Sequence, residues 1–141
     1  VYGQTGEGKL ITENTPVNAY YVGFLANYDI TSQFKTSFGC DYLSGKDQED
    51  TSNKIKSFFP SSGTNHAFNG LMDYFYVGSF KNSVGLKDIY FKFNVLAKKW
   101  QFNLSPHFFT SANTVLNPTV ATKKMDRYFR YLYWHWSCLL G

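Results

Sequence analysis

The stretch LKDIYFKFNVLAKKWQFNLSPHFFTS, residues 86–111, decides how the chain reads. In its first half Ile89, Phe91, Phe93, Val95 and Ala97 share one parity, and Asp88, Tyr90, Lys92 and Asn94 share the other. In its second half Trp100, Phe102, Leu104 and Phe108 alternate with Gln101, Asn103, Ser105 and His107. Strict apolar/polar alternation is the signature of a strand with two different faces. The pair Lys98-Lys99 is short enough for a tight hairpin connection. Strands are therefore expected at 86–97 and 100–111, antiparallel, with a bulge or kink at Pro106, because proline removes a ladder hydrogen bond.

Outward from this hairpin the pattern repeats. FKTSFGCDYLS, residues 34–44, places Phe34, Thr36, Phe38, Cys40 and Tyr42 on one face, and Lys35, Ser37, Gly39 and Asp41 on the other. Cys40 reads as a small packed or lipid-facing residue. VNAYYVGFLANY, residues 17–28, has no strongly polar face but is rich in β-branched and aromatic residues, so it too reads as a strand. Asp29 to Ser32 is a short turn. Residues 1–16, with Gly3, Gly6, Gly8 and Pro16, read as a loop or frayed start, and 112–127 as a second loop. Between the two strand pairs lies a long irregular stretch, about 45–85, of a length that is usually functional. The expected fold is all-β: an antiparallel meander of four or five long strands.

Composition narrows the class. The chain has 141 residues, 20% aromatic and only 17% charged, with 14 Lys+Arg against 10 Asp+Glu. Disordered chains have the opposite bias. No run approaches the roughly 20 apolar residues of a membrane helix. A mean hydropathy of −0.32 suits a soluble protein, but it also suits a transmembrane barrel, in which only alternate residues are apolar. The positive charge is not gathered in one run, so nucleic acid is not indicated. Cys40 and Cys138 show no metal-ligand spacing. The chain begins at Val1 without a signal peptide, as a mature form or a piece of a longer protein would.

Strands of about 11–12 residues exceed the globular mode of about 5–6. Aromatic residues sit near their ends, at Tyr28, Tyr42, Trp100 and Phe108, as membrane-interface girdles require. Short turns at one end and long loops at the other complete the pattern of an outer-membrane barrel. The competing reading is a soluble β-barrel or sandwich that turns Phe91, Phe93, Phe102 and Phe108 inward around an apolar ligand.

One further stretch carries a family resemblance. GTNHAFNGLMDYFYVGSFKNSVGLKDIYFKFN, residues 63–94, holds Thr64, His66, Gly70 and Asp73, followed by Asn82 and by Gly85, Leu86, Asp88 and Tyr90. With DYLSGKD at 41–47, this resembles the alginate-export family of outer-membrane porins, Bacteroidetes type. The resemblance implies that the four loop residues belong to an extracellular loop. It implies that the chain is a segment of a transmembrane β-barrel in the bacterial outer membrane, completed by remaining strands of the same barrel. It also implies passive passage of an anionic saccharide; the absence of a nucleophile or metal motif in the sequence points to no catalysis, cofactor or metal. After Tyr128 the chain departs from the family pattern, and 129–141 is expected to be an atypical, truncated or frame-shifted end.

On this reading the lumen side carries Lys35, Asp41, Asp88, Tyr90, Lys92, Gln101 and His107. Lysines there would attract anions, and Asp41 and Asp88 are expected to pair with them across strands. Lys87 has the apolar parity and is expected to snorkel at a rim. No nucleophile stands at a recognisable spacing from His66 or Asp73, and Asp47, Glu49 and Asp50 lack the spacing of a calcium loop.

Overall fold

The computed structural model describes residues 1–9, 14–58, 83–116, 124–125 and 128–138, with 8–9, 124–125 and 128–138 through their backbone alone. Those residues form eight strands: β1 (Tyr2–Lys9), β2 (Asn14–Asp29), β3 (Phe34–Leu43), β4 (Leu86–Ala97), β5 (Trp100–Ser111), β6 (Val115–Leu116), β7 (Lys124–Met125) and β8 (Tyr128–Cys138). None of the described residues is helical. Six strands make one antiparallel sheet in the order β1-β2-β3-β4-β5-β8, and β6–β7 form a separate two-stranded piece. The fold is an all-β meander with five long strands and a shorter β1. The sheet is open, with β1 and β8 at its edges among the described residues.

The alternating segments become strands at 86–97 and 100–111 as their patterns require. Lys98, between them, has φ of 49°, the left-handed backbone that two-residue hairpin turns need. The β2–β3 turn is held by Thr31, whose hydroxyl accepts the amides of Gln33 (3.2 Å) and Phe34 (3.0 Å).

Three expectations are corrected. Residues 2–9 are a strand rather than a frayed start, and β2 begins at Asn14, so the two form a hairpin with Tyr2 opposite Tyr21 and Lys9 opposite Asn14. Glycines lower strand propensity, but the edge of β2 offers a full ladder of partners and pairing prevails. Residues 124–125 lie in a strand rather than a loop, paired with 115–116. Pro106 makes no bulge: Tyr90↔His107 and Phe93↔Leu104 keep one register across it. Only the pairing of Phe91 and Lys92 with the residues facing them is lost, as a missing N–H would cause, while Pro106↔Leu132 continues on the β8 side. Of the atypical end, residues 129–138 belong to β8, paired along β5 from Thr110↔Tyr128 to Trp100↔Cys138, and 139–141 lie outside the described residues.

Both turns, 30–33 and 98–99, lie at one end of the sheet, and the strand ends at Lys9, Asn14, Leu43, Leu86, Ser111 and Tyr128 lie at the other. At the loop end, residues 44–58 are tied to the sheet. Ser44 donates to the Lys56 carbonyl (2.8 Å) and accepts the Tyr20 amide (2.8 Å). Ile55 bridges Val17 in parallel, with Asn18 N–Ile55 O and Ile55 N–Pro16 O both 2.9 Å. The two ends of the long connection cross at Gly45 and Gly85. A Cβ at Gly45 would overlap the Val84–Gly85 backbone, and Gly85 has φ of +78°, where only glycine is unstrained. The small core sits here, built from Ala19, Leu43, Phe58, Leu86 and Phe109, flanked by Val17 and Tyr21.

Candidate functional site

Cross-strand partners in an antiparallel sheet point to the same side, so register fixes which residues share a face. Asp41 stands opposite Asp88, Ser37 opposite Lys92 and Lys35 opposite Asn94. Tyr90 stands opposite His107, and Leu96 opposite Gln101. Lys35, Asp41, Asp88, Tyr90, Lys92, Gln101 and His107 therefore lie on one face, together with the small core. The other face carries Val22, Phe24, Phe38, Ile89, Phe91, Val95, Phe102 and Phe108, all exposed. Cys40 joins it, half-buried between Phe24 and Ile89 in the register.

The polar face has two tiers below the core. In the first, Asp88 is 1% exposed and accepts the His107 Nδ1 at 2.9 Å. The imidazole is sandwiched between Tyr90 (5.0 Å, 24°) and Phe109 (5.5 Å, 14°). The Tyr21 hydroxyl donates to Asp41 Oδ1 at 2.6 Å. The Tyr90 ring occupies the space over Gly39, where any Cβ would overlap it; a cross-strand ring fills the gap that glycine leaves. Lys92 Nζ stands 5.0 Å from the Tyr90 ring. In the second tier, toward the short turns, the side chains are amides and hydroxyls. Ser37 donates to Asn27 (2.7 Å), Asn94 bonds Asn103, and Gln101 reaches Asn103 at 3.4 Å. Lys35 pairs with Asp29 at 3.2 Å, both largely exposed.

The expected lysine–aspartate pairs are therefore corrected. Asp41 is bound by Tyr21 and Asp88 by His107, while Lys35 pairs with Asp29, the last residue of β2, which the sequence places in the turn. Register is the reason: it sets Asp41 against Asp88, and Lys92 four residues further along β4, about 13 Å at strand rise. Among the described residues Lys92 has no carboxylate within ion-pair distance. Tyr21 was missed because both parities of 17–28 are apolar; only its place two residues from Gly23↔Asp41 reveals it. Lys87 is on the apolar face at its loop end, as its parity requires, with Nζ 6.0 Å from the Tyr42 ring.

Outside the sheet, Asp50 accepts Lys56 Nζ at 2.6 Å and the Ser52 amide at 2.8 Å. The lysine first and Ser52 second hold its carboxyl well below the usual carboxylate range. Asp47 Oδ1 accepts the Glu49 amide at 2.9 Å. No group of three His, Cys, Asp or Glu side chains placed for a metal occurs among the described residues. Thr64, His66, Gly70 and Asp73 lie outside the described residues.

The described hydrogen bonds of His107 both go to Asp88, an arrangement that ties β4 to β5. The exposed groups of the polar face include Asn27, Asp29, Lys35 and Lys92, with Leu25 among them. Comparison with known proteins returned no match, whether to family models, curated proteins or solved structures.

Proposed function

We propose that these strands are part of the wall of a transmembrane β-barrel of the bacterial outer membrane, acting as a porin-type passive channel for anionic sugars or polysaccharide, alginate-like in chemistry. One observation carries the reading: the same long strands present an uncovered apolar surface on one side and hydrogen-bonded polar groups on the other. An apolar surface that runs across four strands needs a nonaqueous partner, and lipid is the one that fits strands of 10–16 residues. The loop 44–58 packs on the polar side rather than covering the phenylalanines. That supports the membrane reading over a soluble barrel or sandwich, where the apolar face would be the enclosed one. The remaining strands would come from the rest of the protein, pairing with the edges at β1 and β8.

Transport on this reading is selection by fixed charge. The polar face carries Asp29, Asp41 and Asp88 against Lys35 and Lys92, and Asp29 neutralises Lys35. On the described polar face, attraction of anions therefore rests on Lys92. The full-length protein should be monodisperse only in detergent or lipid; monodispersity in plain buffer would sink the channel and favour the soluble module around Phe91, Phe93, Phe102 and Phe108. In planar bilayers Lys92→Glu should reduce the anion/cation permeability ratio, and an unchanged ratio would remove Lys92 from the selectivity argument.

A further inference from the structure

The strand β2 changes character on one face, at one residue. Asn14, Pro16 and Asn18 are exposed on the same parity as Tyr20, Val22, Phe24 and Ala26. Pro16 and Asn18 stand opposite Glu7 and Thr5 on β1, equally unsuited to hydrocarbon. The upper part of the β1–β2 hairpin is thus polar on the side where the rest of the sheet is apolar.

The changeover is marked by rings. Tyr20 stacks on Tyr42 at 5.6 Å and 16°. Next to Tyr42 in the register stands Lys87, and next to Lys87 stands Thr110. Lys87 is exposed, its amine lies over the Tyr42 ring, and no carboxylate among the described residues is within ion-pair distance. At the opposite end of the same face stand Tyr28, Phe34, Ala97 and Trp100. The two rows are separated by 8 residues on β2 and β3 and 10 on β4 and β5. At strand rise this is about 27–34 Å along the strands, and about 20–26 Å along the axis at a barrel tilt of roughly 40°. An outer-membrane apolar band is about 25 Å tall.

From this we infer that the Tyr20–Tyr42–Lys87 row lies at the membrane surface on the loop side, and that the Lys87 amine faces the phosphates of lipid headgroups. The inference rests on the membrane reading above and adds to it a depth and a ligand. Phosphate is the complementary partner: a lone amine, backed by a ring and unpaired in the sheet, sits where the surface passes from apolar to polar. The β1–β2 hairpin beyond Tyr20 then stands in water.

The test uses the full-length protein refolded into vesicles, with Cys40 and Cys138 replaced by serine and single nitroxides placed at 18 or 24. The label at 24 should be quenched by oxygen and the label at 18 by a water-soluble nickel chelate. With phosphatidylglycerol in the vesicles, Lys87→Glu should insert several-fold more slowly than Lys87→Gln, and 1 M salt should close the gap. If 24 lies in lipid but Lys87→Glu and Lys87→Gln insert at the same rate, the phosphate contact is overturned and the membrane reading survives. If 24 is reached by the nickel chelate, both fall.

Discussion

Phe24 and Leu25 are neighbours in β2, are both about half exposed, and stand in different chemistry. Phe24 belongs to the face where Phe38 and Phe91 meet at 5.2 Å and little but hydrocarbon is presented. Leu25 belongs to the face where Asp41, Asp88 and His107 are held by specific partners. The faces are specified differently. On the apolar side the requirement is cheap transfer out of water, which many residues satisfy, and cross-strand ring pairs add only about 0.2–1 kcal/mol each. On the polar side each buried group needs one particular partner, because a buried polar atom left alone is destabilising. One side tolerates shuffling; the other does not.

The largest expected effect tests that difference at adjacent positions. Phe24→Arg places a cation on the proposed lipid side near mid-strand, and should destabilise the full-length protein in vesicles by about 2–4 kcal/mol. Leu25→Arg places the same side chain on the polar side, with Gly23 and Asn27 exposed beside it on β2, and should cost less than about 1 kcal/mol. Equilibrium denaturation in lipid measures both. Equal costs would abolish the distinction between the faces.

A smaller effect probes pairing within the polar face. His107→Ala strips Asp88 of its hydrogen-bond partner in a site that is 1% exposed, and should cost about 1.5–3 kcal/mol. The double variant Asp88→Leu/His107→Leu should recover part of that loss, since removing both partners leaves no orphaned carboxylate. A double variant as costly as the sum of its single changes would show the pair to be uncoupled.

How far these features can be read from residue order differs between strands. The limits of β4 and β5 follow from clean alternation, and the common face of Asp88, Lys92 and His107 follows from parity. Their partners do not, because cross-strand register depends on turn length and on where the long connection returns, and neither is local. Tyr21 meets Asp41 only because Gly23 aligns with that aspartate. Two whole strands were hidden for opposite reasons. The β1 segment, YGQTGEGK, is too rich in glycine to signal a strand, and pairing with β2 creates it. The β8 segment, YFRYLYWHWSC, is bulky at both parities, so its faces separate only in register with β5, where Trp136 aligns with Phe102 and Tyr131 with His107. Thr64, His66, Gly70 and Asp73 lie outside the described residues.

The smallest expected effect compares two acid–base pairs. Asp88–His107 is buried in the sheet, whereas Asp50–Lys56 lies in the loop with Lys56 substantially exposed. Solvent screening weakens the second pair, yet its geometry still holds Asp50 below the ordinary carboxylate range. A carboxyl whose folded pKa is depressed stabilises the folded loop fully above its unfolded pKa, and this contribution is lost as pH falls through the folded value. Loop order around Ile55 should therefore persist at neutral pH and through mild acid, and weaken only at strongly acid pH. Lys56→Gln removes the first cause of the depression, so the Asp50 titration midpoint should move up toward ordinary carboxylates, followed by carboxyl NMR of the full-length protein. The change should be confined to the loop, leaving Asp88 and His107 unaffected, because no described contact joins the two pairs. An Asp50 midpoint that stays put in Lys56→Gln would show that Ser52, rather than the lysine, dominates the site. A parallel movement at Asp88 would mean that the loop and the polar face respond as one unit.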